Sequence, residues 1–334
     1  MELFLADKIE EMAMPKVTIV IPNFNGHKYL KTCMDALYRQ TMQDMEILFV
    51  DNGTTDGSSE FIKHQYPEVK IIQLKENTGF CGAVNVGISN AKAPYVLLLN
   101  NDTEVTETFV EELYRAIQKD ERIFSCSSKM IQYHQRERMD DAGDLFSALG
   151  WAFARGKGKH IDQYDKEKNV FFSCAGAAIY RKSILDKIGY FDENHFAYLE
   201  DADIGYRARI YGYINKYVPK AVVYHVGSGS SGSVYNHFKI QHSSRNSIYL
   251  IYKNMPFLQI MLNVPFFILG FGIKIAFFTA KGFGLEYIKG LIRGFSLCKK
   301  GKREGKKVPF LKKHFKNYCK IQIELWMNMV KRFI

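Results

Sequence analysis

The residues with the types and spacing for chemistry fall in three places. Asn100-Asn101-Asp102 closes the aliphatic run from Tyr95 to Leu99. A carboxylate beside two amides could help hold Mg²⁺ or Mn²⁺, which is usually bound by one or two carboxylates together with substrate phosphates. A turn built from Asn-Asn-Asp is the plainer account of the same residues. Glu200-Asp201-Ala202-Asp203 puts three carboxylates into four positions where a helix should begin. Capping and the helix dipole explain acids there, and Asp203 can pair with Arg207 one turn on. Carboxylates this close also raise one another's pKa, a condition suited to a general base. His225 lies in the run Ala221 to Val226, beside Gly227-Ser228-Gly229-Ser230-Ser231-Gly232. Taken alone, it reads as a hydrogen-bonded core histidine. The glycines match GxGxxG, but a dinucleotide site needs an acid about 20 positions further on, and no Asp or Glu occurs between Asp203 and Glu286. A Gly/Ser loop whose backbone amides close over phosphates fits better.

Something must carry these groups to one place. Val17 to Ile21, Ile47 to Val50, Val69 to Leu74 and Tyr95 to Leu99 are β-branched or aliphatic runs of strand length. Between them lie helical patterns such as Tyr29, Leu30, Cys33, Met34 and Leu37. Strand-helix alternation predicts an α/β fold with a mostly parallel sheet flanked by helices, and such sheets gather ligands at the carboxyl ends of their strands. The loops at those ends are Pro22-Asn23-Phe24-Asn25-Gly26, the segment Asp51 to Ser58, and Asn100-Asn101-Asp102. Phe171 to Tyr180 and Ala221 to Val226 read as further strands and Ser183 to Ile188 as a short helix, while residues 121–158 have no clear period.

Charge is divided unevenly along the 334 residues. Of the net +11, Lys281 to Ile334 holds 15 Lys+Arg against 3 Asp+Glu, leaving a nearly neutral body of 31 against 32. With 47% apolar residues and 14% aromatics, that body can bury a core, which excludes wholesale disorder and collagen-like repeats. Six scattered cysteines without CxxC spacing read as reduced thiols. Residues 1–14 lack the basic n-region of a secretory signal, so the expected compartment is cytosolic.

Asn254 to Ile273 is a run of 20 uncharged residues directly before the basic tail. It is just long enough to span a bilayer, but Pro265, Gly270 and Gly272 interrupt it, and a single span would place a +12 tail opposite a cytosolic body. An in-plane, monotopic association with the cytosolic membrane surface meets both constraints, with lysines on anionic headgroups at about 1 kcal/mol each. Leu311, Phe315, Tyr318, Leu325 and Met329 form a stripe at helical spacing in that tail. A C-terminal helical subdomain packed on the body is the alternative.

Taken in order, TIVIPNFNG (18–26), VDNGTTDGS (50–58), ENTGFCGAVNVGI (76–88), LLLNND (97–102), the segment 176–213 with its GYFDE and EDAD, VVYHVGSGSS (222–231) and SSRN (243–246) resemble the family 2 glycosyltransferases, most of all the rhamnosyltransferase-like branch. The resemblance implies a GT-A fold over residues 16–253, which leaves an N-terminal extension of 1–15 and the helical region of 254–334 whose apolar run and basic tail are read above as membrane-associating. It implies metal-dependent, inverting hexosyl transfer from a nucleotide-sugar donor, a dTDP-rhamnose or a UDP-sugar, to a hydroxyl of a glycan or lipid-linked acceptor of the cell envelope. By position, Asp201 matches the general base, with Glu200 and Asp203 supporting it or the acceptor. Asp102 matches the last carboxylate of the metal-binding DxD motif, whose first position is here Asn100, and His225 matches the histidine that completes the metal site for Mg²⁺ or Mn²⁺. Pro22, Asn25, Asp51, Asn77, Asn101 and Arg245 fall where the nucleotide sugar is bound. Two other readings stand beside this one. A sugar-1-phosphate nucleotidyltransferase should show a Gly-rich basic loop after its first strand, and PNFNGHKYL is not one. A basic nucleic-acid-binding protein would use the tail on phosphates, but the apolar run beside it argues against nucleic acid as a partner.

Overall fold

The computed structural model describes residues 14–227 and 235–331. Its strands are β1 (Val17–Asn23), β2 (Met45–Asp51), β3 (Lys70–Gln73), β4 (Tyr95–Leu99), β5 (Thr103–Val105), β6 (Ile123–Gln132), β7 (Gln135–Asp141), β8 (Asp144–Phe146), β9 (Ala152–Ala154), β10 (Lys168–Val170), β11 (Ala177–Arg181) and β12 (Ile214–His225). Its α-helices are α1 (His27–Tyr38), α2 (Ser58–Gln65), α3 (Gly79–Asn90), α4 (Phe109–Gln118), α5 (Lys182–Ile188), α6 (Glu200–Ile210), α7 (His237–Asn254), α8 (Phe257–Ala280), α9 (Gly284–Arg303) and α10 (Phe315–Lys331).

Among the described residues, one sheet of ten strands runs β10-β12-β6-β11-β4-β1-β2-β3, with β5 on β12 and β7 on β6. The parallel part is β4-β1-β2-β3, where the four sequence-predicted strands and their intervening helices lie. Beyond it the sheet is mixed, because β11 runs antiparallel to both β4 and β6. Successive residues of a strand face opposite sides. Val17, Ile19 and Ile21 pack with Leu30, Met34 and Leu37 of α1, whereas Val20, Leu48 and Leu98 pack with Val84 and Ile88 of α3. Helices therefore cover both faces, which is why these strands read as continuous apolar runs.

A third core joins Phe146, Phe171 and Tyr206 to Leu250 of α7, Phe267 of α8, and Tyr318 and Leu325 of α10. The boundary expected at residue 254 is thus crossed by shared packing. Trp151 Nε1 donates to Gly270 O at 3.1 Å, and a Cβ at Gly270 would meet Leu149 O at 2.2 Å, so the absent side chain lets α8 lie on the body. The stripe predicted in the tail is only partly outward. Tyr318 and Leu325 are buried against the body, while Ile323, Met327 and Val330 are exposed instead.

Candidate active site

At the carboxyl ends of β1 and β4 opens a cleft of about 820 Å³, lined by Pro22, Asn23, Asn52, Asn77, Asn100, Asn101 and Asp102 on one side and by Asp144, Cys174, Glu200, Asp201, His225 and Phe238 on others. Pairing of β5 with β12 sets His225 opposite Thr103, one residue past Asp102, and Val226 N donates to Asp102 O at 3.0 Å. His225 Nε2 is 3.4 Å from Asp102 Oδ1, and its Nδ1 is 2.8 Å from Asp140 Oδ2. Burial alone would lower the imidazolium pKa, but the two carboxylates reverse that and raise it to about 9. This wall already stabilises a positive charge between acids. A hard carboxylate and an imidazole side by side are a donor set suited to Mn²⁺ or Mg²⁺ completed by substrate oxygens.

The amide-rich wall is held by its own hydrogen bonds. Asn52 Nδ2 donates to Asn77 Oδ1 at 3.0 Å and to Gly79 O at 3.1 Å, while Asn52 Oδ1 accepts from Thr78 N at 2.9 Å. Asn101 Nδ2 donates to Asn23 Oδ1. A Cβ at Gly26 would meet Asn101 Nδ2 at 2.0 Å, so glycine there lets the β1–α1 turn close on the Asn100-Asn101-Asp102 turn.

The acid-bearing helix α6 enters the cleft from a strained loop. Phe196, Tyr198 and Leu199 have φ of 64°, 71° and 67°, a left-handed region costly for non-glycine residues. Asn246 holds that loop by donating from Nδ2 to the carbonyls of His195, Ala197 and Tyr198 at 2.9, 2.9 and 2.7 Å. Asp201 accepts from Ala202 N at 2.7 Å; burial lifts its pKa to about 6, with backbone N–H groups of Ala202 and Ala175 opposing the rise. Glu200 is pushed higher by burial and by the Asp201 charge, and its Oε2 has no hydrogen-bond partner among the described residues. Two coupled acids at one cleft wall, one ionised near neutrality, form a base with a protonated neighbour.

Pro22, Asn77, Asn101, Asp102, Glu200, Asp201 and His225 thus line one cleft. Four sequence-predicted residues do not. Asp203 is fully buried, held by Lys253 Nζ at 2.9 Å, Arg207 Nη2 at 3.0 Å and Asn254 Nδ2 at 2.7 Å, so it anchors α6 and cannot reach an acceptor. Arg245 Nη2 donates to His195 O at 2.7 Å and Asn194 O at 3.2 Å, which engages its guanidinium behind the aromatic loop. Asp51 accepts from Thr54 N at 2.8 Å and from Ser59 Oγ, and Asn25 Oδ1 accepts from Thr55 N at 2.9 Å, so both brace the rim. Of the predicted Gly/Ser loop, residues 228–232 lie outside the described residues. Sequence reasoning missed Asn52, Asp140, Asp144 and Asn246. Asn52 and Asn246 sit inside recognised segments, whereas Asp140 and Asp144 lie in the stretch without a period.

Asp141, Asp144 and Cys174 also place ligand-type atoms within 4.8 Å of one another. Burial raises both carboxyls, Asp141 to about 7, and the thiol as well, so the group favours shared protons over a hard cation.

Residues 18–189, just over half of the chain, match the family model of Glycosyl transferase family 2. The chain belongs to that family. Among family relatives, glycosyltransferase GlyG of Streptococcus pneumoniae is 35% identical over 106 residues, 31% of this chain and 35% of GlyG. The match to GlyA of the same organism spans 15% of that relative's length, so the chain covers about a third or less of these two proteins. The N-acetylglucosaminyl-diphospho-decaprenol L-rhamnosyltransferase of Mycobacterium tuberculosis is 25% identical over 236 residues, 64% of this chain and 77% of that one. The fold resembles GalNAc-T7, solved with UDP, GalNAc and Mn²⁺, at a TM-score of 0.58 and 16% identity over 72% of this chain and 48% of that one. It also resembles Staphylococcus aureus TarS, at a TM-score of 0.51 and 16% identity over 76% and 43%. Both place this family 2 chain in the GT-A fold.

Proposed function

We propose that this family 2 enzyme is an inverting, metal-dependent hexosyltransferase that moves a sugar from a dTDP- or UDP-linked donor to a hydroxyl of a lipid-linked cell-envelope glycan precursor. The observation that carries the reading is the convergence of Asp102 and His225 with Glu200 and Asp201 on one cleft. In this scheme the amide wall of Asn52, Asn77 and Asn101 orients the donor. Asp201 accepts the acceptor proton as the hydroxyl attacks the anomeric carbon from the side opposite the diphosphate, worth about two to four orders of magnitude in rate. Asp102 and His225 would hold Mg²⁺ or Mn²⁺, which when bound supplies charge stabilisation to the departing diphosphate. The likeness to the mycobacterial relative supports the choice of a rhamnosyl donor.

The site of work in this proposal is the cytosolic face of the membrane, approached in plane. The supporting observation is the inverted polarity of α8. Its Gln259 and Asn263 are buried, bonded to Tyr206 and Gln322, while Phe257, Leu258 and Ile268 are 74%, 77% and 70% exposed. Soluble amphipathic helices place these types the other way round. Exposed lysines at 299, 300, 302, 306, 307, 312 and 313 follow in sequence and suit anionic headgroups.

Nucleotide release from a panel of nucleotide sugars, with Mg²⁺, Mn²⁺ or EDTA and with lipid extract as acceptor, tests the reading. It predicts cation-dependent release of dTDP or UDP. Equal release in EDTA would remove the metal, and no release from any donor would remove the donor class.

A further inference from the structure

Building on the proposed role of Asp102 and His225, we propose that Asp140 is a positioning residue that fixes the ring and tautomer of His225 for cation binding. Asp140 belongs to β7, in the stretch without sequence periodicity, and nothing in the motif segments points to it. Its Oδ2 lies 2.8 Å from His225 Nδ1, on the opposite side of the ring from Nε2, which faces Asp102 Oδ1 at 3.4 Å. The second oxygen, Oδ1, accepts from Lys157 Nζ at 2.8 Å. Each atom of the relay therefore has an assigned partner, and Asp140 can serve His225 only through Nδ1.

An imidazole donating Nδ1–H to a carboxylate presents Nε2 as a lone pair, in a fixed plane and with increased basicity. Backbone pairing reinforces the placement. His225 is in register with Gln132 of β6 and Thr103 of β5, its carbonyl accepts from Tyr133 N at 2.9 Å, and β7 is the hairpin partner of β6. The hairpin sets β7 on the opposite side of β6 from β12, and the Asp140 side chain reaches His225, at the end of β12, across β6. With Asn100 standing where the family motif has a carboxylate, the chain offers fewer first ligands, and a well-oriented histidine carries more of the binding.

The test is Mn²⁺ binding to the full-length protein with and without UDP, followed by the electron paramagnetic resonance of free Mn²⁺. The Asp140→Ala variant is expected to bind about 10- to 100-fold more weakly, while Asp140→Asn, whose amide oxygen can still accept from Nδ1–H, recovers part of the loss. Nitrogen-15 chemical shifts of His225 in the cation-free protein, recorded above the imidazolium value of about 9 so that the ring is neutral, should show Nδ1–H in wild type and a mixed tautomer in Asp140→Ala. Unchanged affinity and tautomer in Asp140→Ala would overturn the proposal. If Asp140→Ala does not fold, the shifts of Asp140→Asn decide it: a retained Nδ1–H supports the assignment, and an Nε2–H ring refutes it. The His225→Ala variant separates the two levels. If it binds Mn²⁺ like wild type, the metal role itself fails. If it loses Mn²⁺ and Asp140→Ala does not, only the positioning role fails.

Discussion

Lys253 Nζ lies 2.9 Å from Asp203 Oδ2, an ion pair almost wholly out of water that ties α6, with its acids, to α7. The same ammonium is 2.8 Å from Asp192 Oδ2, and Tyr249 OH donates to that oxygen. Burial alone would push the Asp203 carboxyl up, but Lys253 and Arg207 hold it far below the usual range. Such a carboxylate contributes stability that is complete above its unfolded value of 3.8 and is lost progressively as pH falls from there through the lower folded value.

Removing the cation leaves two buried carboxylates with less compensation. Lys253→Met is therefore expected to destabilise the protein by about 3–5 kcal/mol near neutral pH. The deficit should shrink below about pH 4 as the carboxylates take protons. Urea unfolding at several pH values measures both. A deficit independent of pH would point to packing instead of charge.

Glu200 predicts the opposite sign. Burial and the neighbouring Asp201 charge raise its carboxyl to about 8 from an ordinary 4.5, so the folded state holds a proton that the unfolded chain releases. Stability from this group is complete below pH 4.5 and declines as pH rises toward 8. Glu200→Gln, which mimics the protonated form, should match wild type in Tm at acid pH and exceed it progressively up to about pH 8. A constant offset in Tm across that range would contradict the assignment.

The outward face of α8 gives a binding prediction. Leu258→Asp combined with Ile268→Asp places charge on two residues that are 77% and 70% exposed, so stability should change by less than about 0.5 kcal/mol. Co-sedimentation with vesicles containing phosphatidylserine should fall at least tenfold. Wild-type binding should weaken with salt, because lysines contribute. Undiminished sedimentation of the double variant would remove α8 as the membrane face.

The strands β1, β2 and β4 were legible because their aliphatic runs are buried on both faces, and β3, half-exposed at the sheet edge, was legible from its paired isoleucines between turn residues. Asp102 and Asp201 were legible as carboxylates at element ends. The role of Asp203 was not, since spacing cannot tell which of three neighbouring acids turns inward, and Lys253, which decides it, is 50 residues away. Asp140 stayed hidden because Gln135–Asp141 is a polar strand paired on the sheet by tertiary contact, without alternation of its own. The tail stripe misled in part because helical spacing marks an apolar face without saying whether protein or lipid covers it. Tyr318 and Leu325 found protein.

The central claim is that Asp201 takes the acceptor proton while Asp102 and His225 serve the donor. Its most direct measurement is turnover of Asp201→Asn beside its affinity for Mn²⁺ and the donor nucleotide. The expected result is turnover lowered by about two to four orders of magnitude, with both affinities within about threefold of wild type. Wild-type turnover should rise with pH through an inflection near the raised Asp201 value of about 6. Turnover of Asp201→Asn within tenfold of wild type, at unchanged affinities, would contradict the account.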